Sequence, residues 1–201
     1  FSFLFIEARE RIIHQNDKSV HIDENGVSYD IGENPFKFLK QRYALIDQAS
    51  YKAQAQELGV GFVDGFIGYI GYDAVKIFEP RLRSHMDSLK DDITIPDIDL
   101  MRPKLVCTFS HKSNTLTLST FVPSIASQMD AIETVLKEPH THIPIQKSIF
   151  DKAKGTFAFS KDQFFDMVAR SKEMILSGDV FQILMSNRFT QYAKIDRLSF
   201  Y

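Results

Sequence analysis

The residues best placed to do chemistry lie near the far end of the chain. Val180-Phe181-Gln182-Ile183-Leu184-Met185-Ser186-Asn187-Arg188-Phe189 reads as a strand. Phe181, Ile183, Met185 and Phe189 fall on one side of it, and Val180, Gln182, Leu184, Ser186 and Arg188 on the other. Gln182 and Arg188 would then share a face. An amide that donates and accepts beside a guanidinium that only donates could orient a polar ligand. The same pair also suits two solvent-facing strand residues. Cys107 sits in a run rich in Val, Leu and Thr, where a thiol fills core rather than attacking. His140 and His142 offer two nitrogen ligands without a third convergent partner, which falls short of a zinc set and reads as loop. Asp87, Asp91, Asp92, Asp97 and Asp99 follow no calcium-loop spacing and lack the turn glycine, so the stretch from Pro80 to Arg102 reads as a solvated loop.

These residues need elements to position them. Ser160 and Gln163 form a capping box, and Phe164, Met167, Val168 and Ile175 share one side of a helix that stops at Gly178. The strand from Val180 follows at once. Upstream, Arg11-Ile12-Ile13-His14 and Val20-His21-Ile22 flank the polar turn Gln15-Asn16-Asp17-Lys18 and predict a hairpin. Asn34 and Pro35 mark the N-cap and first residue of a helix carrying Phe36, Leu39, Tyr43 and Ile46. Glycines at 59, 61, 65, 68 and 71 punctuate a strand-like run that is not a dinucleotide fingerprint. Lys104 to Phe109 and Leu116 to Phe121 form a second hairpin. Ser124 caps a helix with Ile125, Met129, Ile132 and Leu136 on one face, ended by Pro139. The pattern lapses from 139 to 156 and marks a boundary. The sum is an α+β chain of antiparallel β-sheets with outer helices, divided into residues 1–150 and 157–201.

Composition narrows the function. The 201 residues are 44% hydrophobic and 25% charged, which can bury a core and is far from the disordered regime. A net charge of −2 gives no electrostatic case for nucleic acid or an anionic membrane. The single cysteine cannot staple the chain internally and fits a reducing, cytoplasmic setting. Phe1 to Ile6 is too short for a membrane span and lacks the marks of a signal peptide. It reads as a strand cut open, and with the aromatic end at Phe200-Tyr201 it leads us to expect the amino-terminal piece of a larger protein.

Two long segments carry a family resemblance. Gly61-Phe62-Val63-Asp64-Gly65-Phe66-Ile67-Gly68-Tyr69-Ile70-Gly71-Tyr72-Asp73-Ala74-Val75-Lys76-Ile77-Phe78-Glu79-Pro80 resembles the "GYxGYD…V(R/K)xFE" segment of anthranilate synthase component I. Ser177-Gly178-Asp179 through Phe189 resembles the "aGDIFQvvLSqRF" segment of the same family. The resemblance implies the front part of the two-sheet chorismate-utilising enzyme fold. It further implies a lyase that adds ammonia to chorismate and eliminates pyruvate to leave anthranilate, in tryptophan biosynthesis. Magnesium is implied with ligands beyond this chain, as are a glutamine amidotransferase partner and tryptophan as feedback inhibitor. Because the main catalytic segments would lie beyond residue 201, the chain alone is expected to be inactive.

One site residue carries over. Gln182 aligns with a lysine of related water-adding enzymes, and a glutamine amide cannot take a proton near neutral pH. Ammonia already has a reactive lone pair and needs no base, whereas water does. The resemblance therefore implies that Gln182 helps select ammonia, its side chain facing a cavity shared with a further sheet. Two other readings stand beside this one. The first is the large component of the aminodeoxychorismate synthase of folate synthesis, whose second segment tends toward "YQvNLtqRF". The second is a catalytically silent binding or scaffold module.

Overall fold

The computed structural model describes residues 1–32, 34–139, 144, 146, 147, 149, 150 and 155–200, with Leu198 in backbone only. Contacts divide the chain into Phe1–Glu138 and Pro139–Tyr201. The paired histidines of 140 and 142 lie outside the described residues.

The first unit is built on two long central strands, β1 (Ser2–Gln15) and β5 (Ile98–Ser110). They run antiparallel from Ser2↔Phe109 to His14↔Ile98. β2 (Lys18–Ile22) pairs with the second half of β1, and β3 (Ser28–Asp30) pairs with β2. β4 (Ile67–Ile70) and β6 (Thr115–Ser119) both pair with β5, near its opposite ends. The described residues thus make a six-stranded antiparallel sheet. The expected first hairpin is present. Its turn places Asn16 and Asp17 at φ 51° and 60°, the doubly positive backbone that matches the twist of paired strands. The second hairpin turns through residues 111–114, with Asn114 at φ 54°.

Strand alternation fixes which side chains share a face. Ile12 of β1, Leu100 of β5 and Gly68 of β4 are paired in one row, and His14, Ile98 and Ile70 in the next. On that face Ile98, Leu100 and Ala74 are buried, and Phe36, Leu39, Phe66 and Ile77 pack against them. Phe36 and Leu39 come from α1 (Pro35–Ala44), capped as expected by the Asn34 side chain accepting from the Phe36 amide. β1 carries a bulge between Ala8 and Glu10. The bulge shifts the inward-facing set from the odd residues Phe3 and Phe5 to the even residues Glu10, Ile12 and His14. Phe62 meets the rings of Phe3 and Phe5 edge-on. His14 is buried with its Nδ1 2.8 Å from Ser19 Oγ, and burial lowers its pKa.

Several expectations need correction. A second helix, α2 (Gln48–Glu57), follows α1; its Asp47 cap is clear, but its faces differ too little in polarity to show a period. Residues 59–66 are not strand, and only Ile67–Ile70 pairs. A short helix α3 (Val75–Phe78) precedes the loop expected from Pro80 to Arg102, which itself contains the short helix α4 (Arg83–Met86), and β5 already begins at Ile98. Asp99 is tolerated inside that strand because Arg11 donates to it from Nε at 2.6 Å and from Nη2. The helix expected after Ser124 is two, α5 (Pro123–Ala126) and α6 (Met129–Lys137), with Val122 rather than Ser124 at the first cap. Cys107 is buried in β5, and burial pushes its thiol pKa up, as core filling requires.

The second unit holds the strands β7 (Ile149–Phe150), β8 (Thr156–Phe157), β9 (Phe189–Thr190) and β10 (Ala193–Lys194), paired β7 with β10 and β8 with β9. Between them runs α7 (Lys161–Leu176), which starts with the full Ser160–Gln163 capping box. A short α8 (Arg197–Phe200) follows β10. Gly178 stands at φ 81°, the left-handed stop anticipated after α7.

Gly68 is the tightest point of the sheet. A Cβ there would lie 2.0 Å from the Asp99 carbonyl oxygen, and φ is +150°. Gly68→Ala is expected to cost about 3 kcal/mol or more through clash and backbone strain. Gly26, at φ +80° with open space around it, is expected to lose only about 1 kcal/mol on the same change, the cost of strain alone. Urea unfolding of both variants checks this, and equal losses would count against the close-approach account.

Candidate functional site

The inward row next to Ile12 and Leu100 is charged. Glu10 faces Arg102 across β1 and β5. Both are buried, which is costly unless every charge finds a partner. Arg102 Nε donates to Asp64 Oδ1 and Oδ2 at 2.9 and 3.0 Å, and its Nη2 also reaches Asp64. The same Nη2 lies 3.3 Å from the Tyr51 hydroxyl, and Nη1 lies 3.4 Å from Glu10 Oε1. Glu10 Oε2 accepts from Arg42 Nε at 2.9 Å and Nη2 at 2.7 Å, and lies 3.0 Å from His21 Nε2. Asp64 also accepts from the Gly65 amide at 2.7 Å. One network therefore ties β1, β2, α1, α2, β5 and the glycine-rich segment together.

Its electrostatics follow from this geometry. Burial alone would raise the Glu10 carboxyl, but the Arg42 hydrogen bond and charge, aided by His21 and Arg102, outweigh it and hold the pKa below the ordinary carboxylate value. Burial would lower Arg102, yet Asp64 raises it further. Tyr51 is raised by burial and by the nearby Asp64 charge. A cleft of about 420 Å³ reaches Tyr51 and Asp64 and is walled by Tyr43, Phe62 and Phe66. Another, of about 340 Å³, opens on Glu10, His21, Arg42 and Arg102.

The two segments singled out in the sequence fall in different units. In the first, Gly71 donates its amide to the Asp97 carbonyl at 2.7 Å and Phe78 packs on Phe36 with ring centroids 4.4 Å apart, so this run closes the sheet onto α1. Tyr72 is exposed. In the second, the strand expected from Val180 does not form. Residues 180–188 have no ladder partner among the described residues, and pairing begins only at Phe189. Met185 is held from the side of α7, where Ser171 Oγ donates to its Sδ at 3.0 Å. Asn187 exchanges hydrogen bonds with the Phe159 backbone. Gln182, Leu184, Ser186 and Arg188 are exposed, so the Gln182 amide faces solvent in this unit rather than a cavity. A strand needs a neighbour to hold its backbone groups, and none is described here.

Of the aspartates of 87–99, Asp99 pairs with Arg11, and Asp91 and Asp87 serve nearer partners. Asp91 Oδ1 caps the Ile93 and Thr94 amides, and Asp87 lies 3.4 Å from Lys76 Nζ. Among the described residues no group of three or more His, Cys, Asp or Glu is placed to hold a metal ion. Nor is any described helix long and apolar enough to cross a membrane. The network members Glu10, Arg42, Asp64 and Arg102 escaped the sequence reading. The available signal was charge at inward strand positions, which the bulge hides in β1.

An antiparallel sheet flanked by outer helices, with glycines where strands close on one another, defines the class as α+β. The chain belongs to the chorismate binding enzyme family, whose profile matches residues 2–201. It is 30% identical over 148 residues to "Anthranilate synthase component 1" of Acinetobacter calcoaceticus, covering 70% of this chain and 29% of that protein. It is 29% identical over 164 residues to the protein of the same name from Lactococcus lactis, covering 79% and 34%. The crystal structure of anthranilate synthase component I from Streptococcus pneumoniae superposes with a TM-score of 0.72 at 19% identity, over 99% of this chain and 43% of that one. The fold is therefore that of this enzyme family. The chain spans about a third of the length of these two curated relatives.

Arg102→Met is expected to destabilise the first unit by about 3–5 kcal/mol, because Glu10 and Asp64 stay buried without their shared cation. Glu10 also predicts an acid limb. Its native pKa lies below its unfolded value of 4.5, so its contribution is complete above that value and is lost as pH falls through the lower native one. Denaturant titrations across the acid range should show a shallower limb in Glu10→Gln; a limb of unchanged slope would remove Glu10 from the account.

Proposed function

We propose that this chain works within the large component of an anthranilate synthase. Chorismate would take up ammonia on its ring and then lose pyruvate and water to leave anthranilate. The supporting observation is the uninterrupted family match over residues 2–201, joined to relatives that carry the anthranilate synthase name. Those names do not favour the aminodeoxychorismate reading. The ammonia would come from glutamine through an amidotransferase partner, and tryptophan would act as feedback inhibitor of the complete enzyme.

Within that reaction Gln182 is given an orienting role. Its amide can donate to the departing hydroxyl or accept from ammonia, but it cannot deprotonate water. The exposed position of Gln182 is compatible with this role only once further chain covers it, and the relatives are about three times as long as the matched region.

The complete product of the gene, given chorismate and an ammonium salt, should release fluorescent anthranilate and pyruvate in equal amounts, while the 201-residue chain alone should release neither. An aminated product without pyruvate would move the reading to the sister enzyme. Gln182→Lys in the complete product should add water-derived product, because a lysine of depressed pKa can serve as base. No gain in that product would remove Gln182 from nucleophile selection.

A further inference from the structure

The 340 Å³ cleft beside the buried network has hydrogen-bonding capacity left over, and nearly all of it is of one kind. The bulge between Ala8 and Glu10 breaks the alternation of β1, and Arg9 and Glu10 both line this one cleft. Glu10 is spent: its Oε2 receives Arg42 and His21, and its Oε1 receives Arg102. Arg102 is spent in turn on Asp64, Tyr51 and Glu10. Asp23, at the rim, is folded into its own turn, where Oδ1 accepts from the Asn25 and Val27 amides and Oδ2 from the Tyr29 hydroxyl.

The groups left open are cationic donors. Arg42 uses Nε and Nη2 on Glu10, which leaves Nη1, and its side chain is one-third exposed. Arg9 is half-buried and pairs with no carboxylate among the described residues. Against them stand the exposed carboxylate of Glu24 and the neutral side-chain amide of Asn25, which can donate as well as accept, so Glu24 is the one acidic group at the cleft, among the described residues, left uncommitted. A guanidinium offers its donors in a planar fork that matches a carboxylate or a phosphate.

The geometry points to a binding site for a small oxyanion, a carboxylate or phosphate group, held by Arg9 and the free edge of Arg42 in the cleft that the β1 bulge opens. Glu24 acts in it as a gate: its charge opposes the anion at the mouth and limits affinity. The site is separate from Gln182, which belongs to the other unit, and it does not depend on the reaction proposed above.

Isothermal titration of the whole chain with inorganic phosphate and with malonate, each against sodium chloride of matched ionic strength, tests it. At least one of the two should bind saturably, and the tighter one identifies the group as phosphate or carboxylate. Arg9→Gln should weaken that binding about tenfold, the usual worth of a charge-assisted contact. Arg9→Lys should recover part of it, and Glu24→Gln should strengthen it. No saturable binding of either probe, or equal affinity in wild type and Arg9→Gln, would overturn the site.

Discussion

The first unit depends on the placement of one buried cation. Arg102 sits on the central strand β5 with Asp64 on one side and Glu10 on the other, and those two carboxylates belong to pieces of chain far apart in sequence. A buried guanidinium is tolerable only when its donors are met, so β1, the glycine-rich loop and α2 must all arrive at fixed positions around it. The neighbouring apolar cluster of Ala74, Ile98 and Leu100 would accept small shifts of its neighbours. The charged row would not, because hydrogen bonds weaken steeply with distance and angle. Packing supplies most of the attraction in this unit, and the ions supply the alignment.

The glycine-rich segment takes its meaning from the same constraint. Asp64 is followed by Gly65 and then by β4, whose Gly68 lets the backbone come directly against Asp99 of β5. Asp99 is also the partner of Arg11 on β1. Glycine and aspartate in this run are therefore joined functions: the first permits the approach and the second secures what has approached. The glycine-rich segment is, in this unit, a sheet-closing device.

Local chemistry was legible in the sequence where short-range rules decide the outcome. The caps at Asn34 and Ser160, the hairpin turn at Asn16-Asp17, the stop at Gly178 and the buried Cys107 all follow from residue type and immediate neighbours. What escaped depends on distant partners. Asp99 and Arg102 read as loop residues because their counter-ions, Arg11 and Asp64, are 88 and 38 residues away. The bulge at Arg9 shifts the phase of the alternation, but the segments on either side each look regular, so residue types alone do not locate it. Residues 180–188 have the composition of a strand but lack a described neighbour, so composition alone could not say whether a ladder would form. Gln182 was singled out only through likeness to related enzymes, and its own segment does not encode the surroundings that would give it a role.

The pairing of β1 with β5 carries a consequence for synthesis. Ser2 is matched with Phe109, so β1 must wait for a strand completed more than a hundred residues later. At ordinary translation speeds that interval is roughly 5–20 s. For that time Phe1, Phe3 and Phe5 emerge without their β5 partner, as an extended apolar ribbon in the crowded space outside the ribosome. The stacking of Phe3 on Phe5 can form locally, but the edge-on contact with Phe62 comes only after another sixty residues. A nascent chain built this way would be a natural client for a holding chaperone, and its yield should depend on how quickly the ribosome passes the codons of β5.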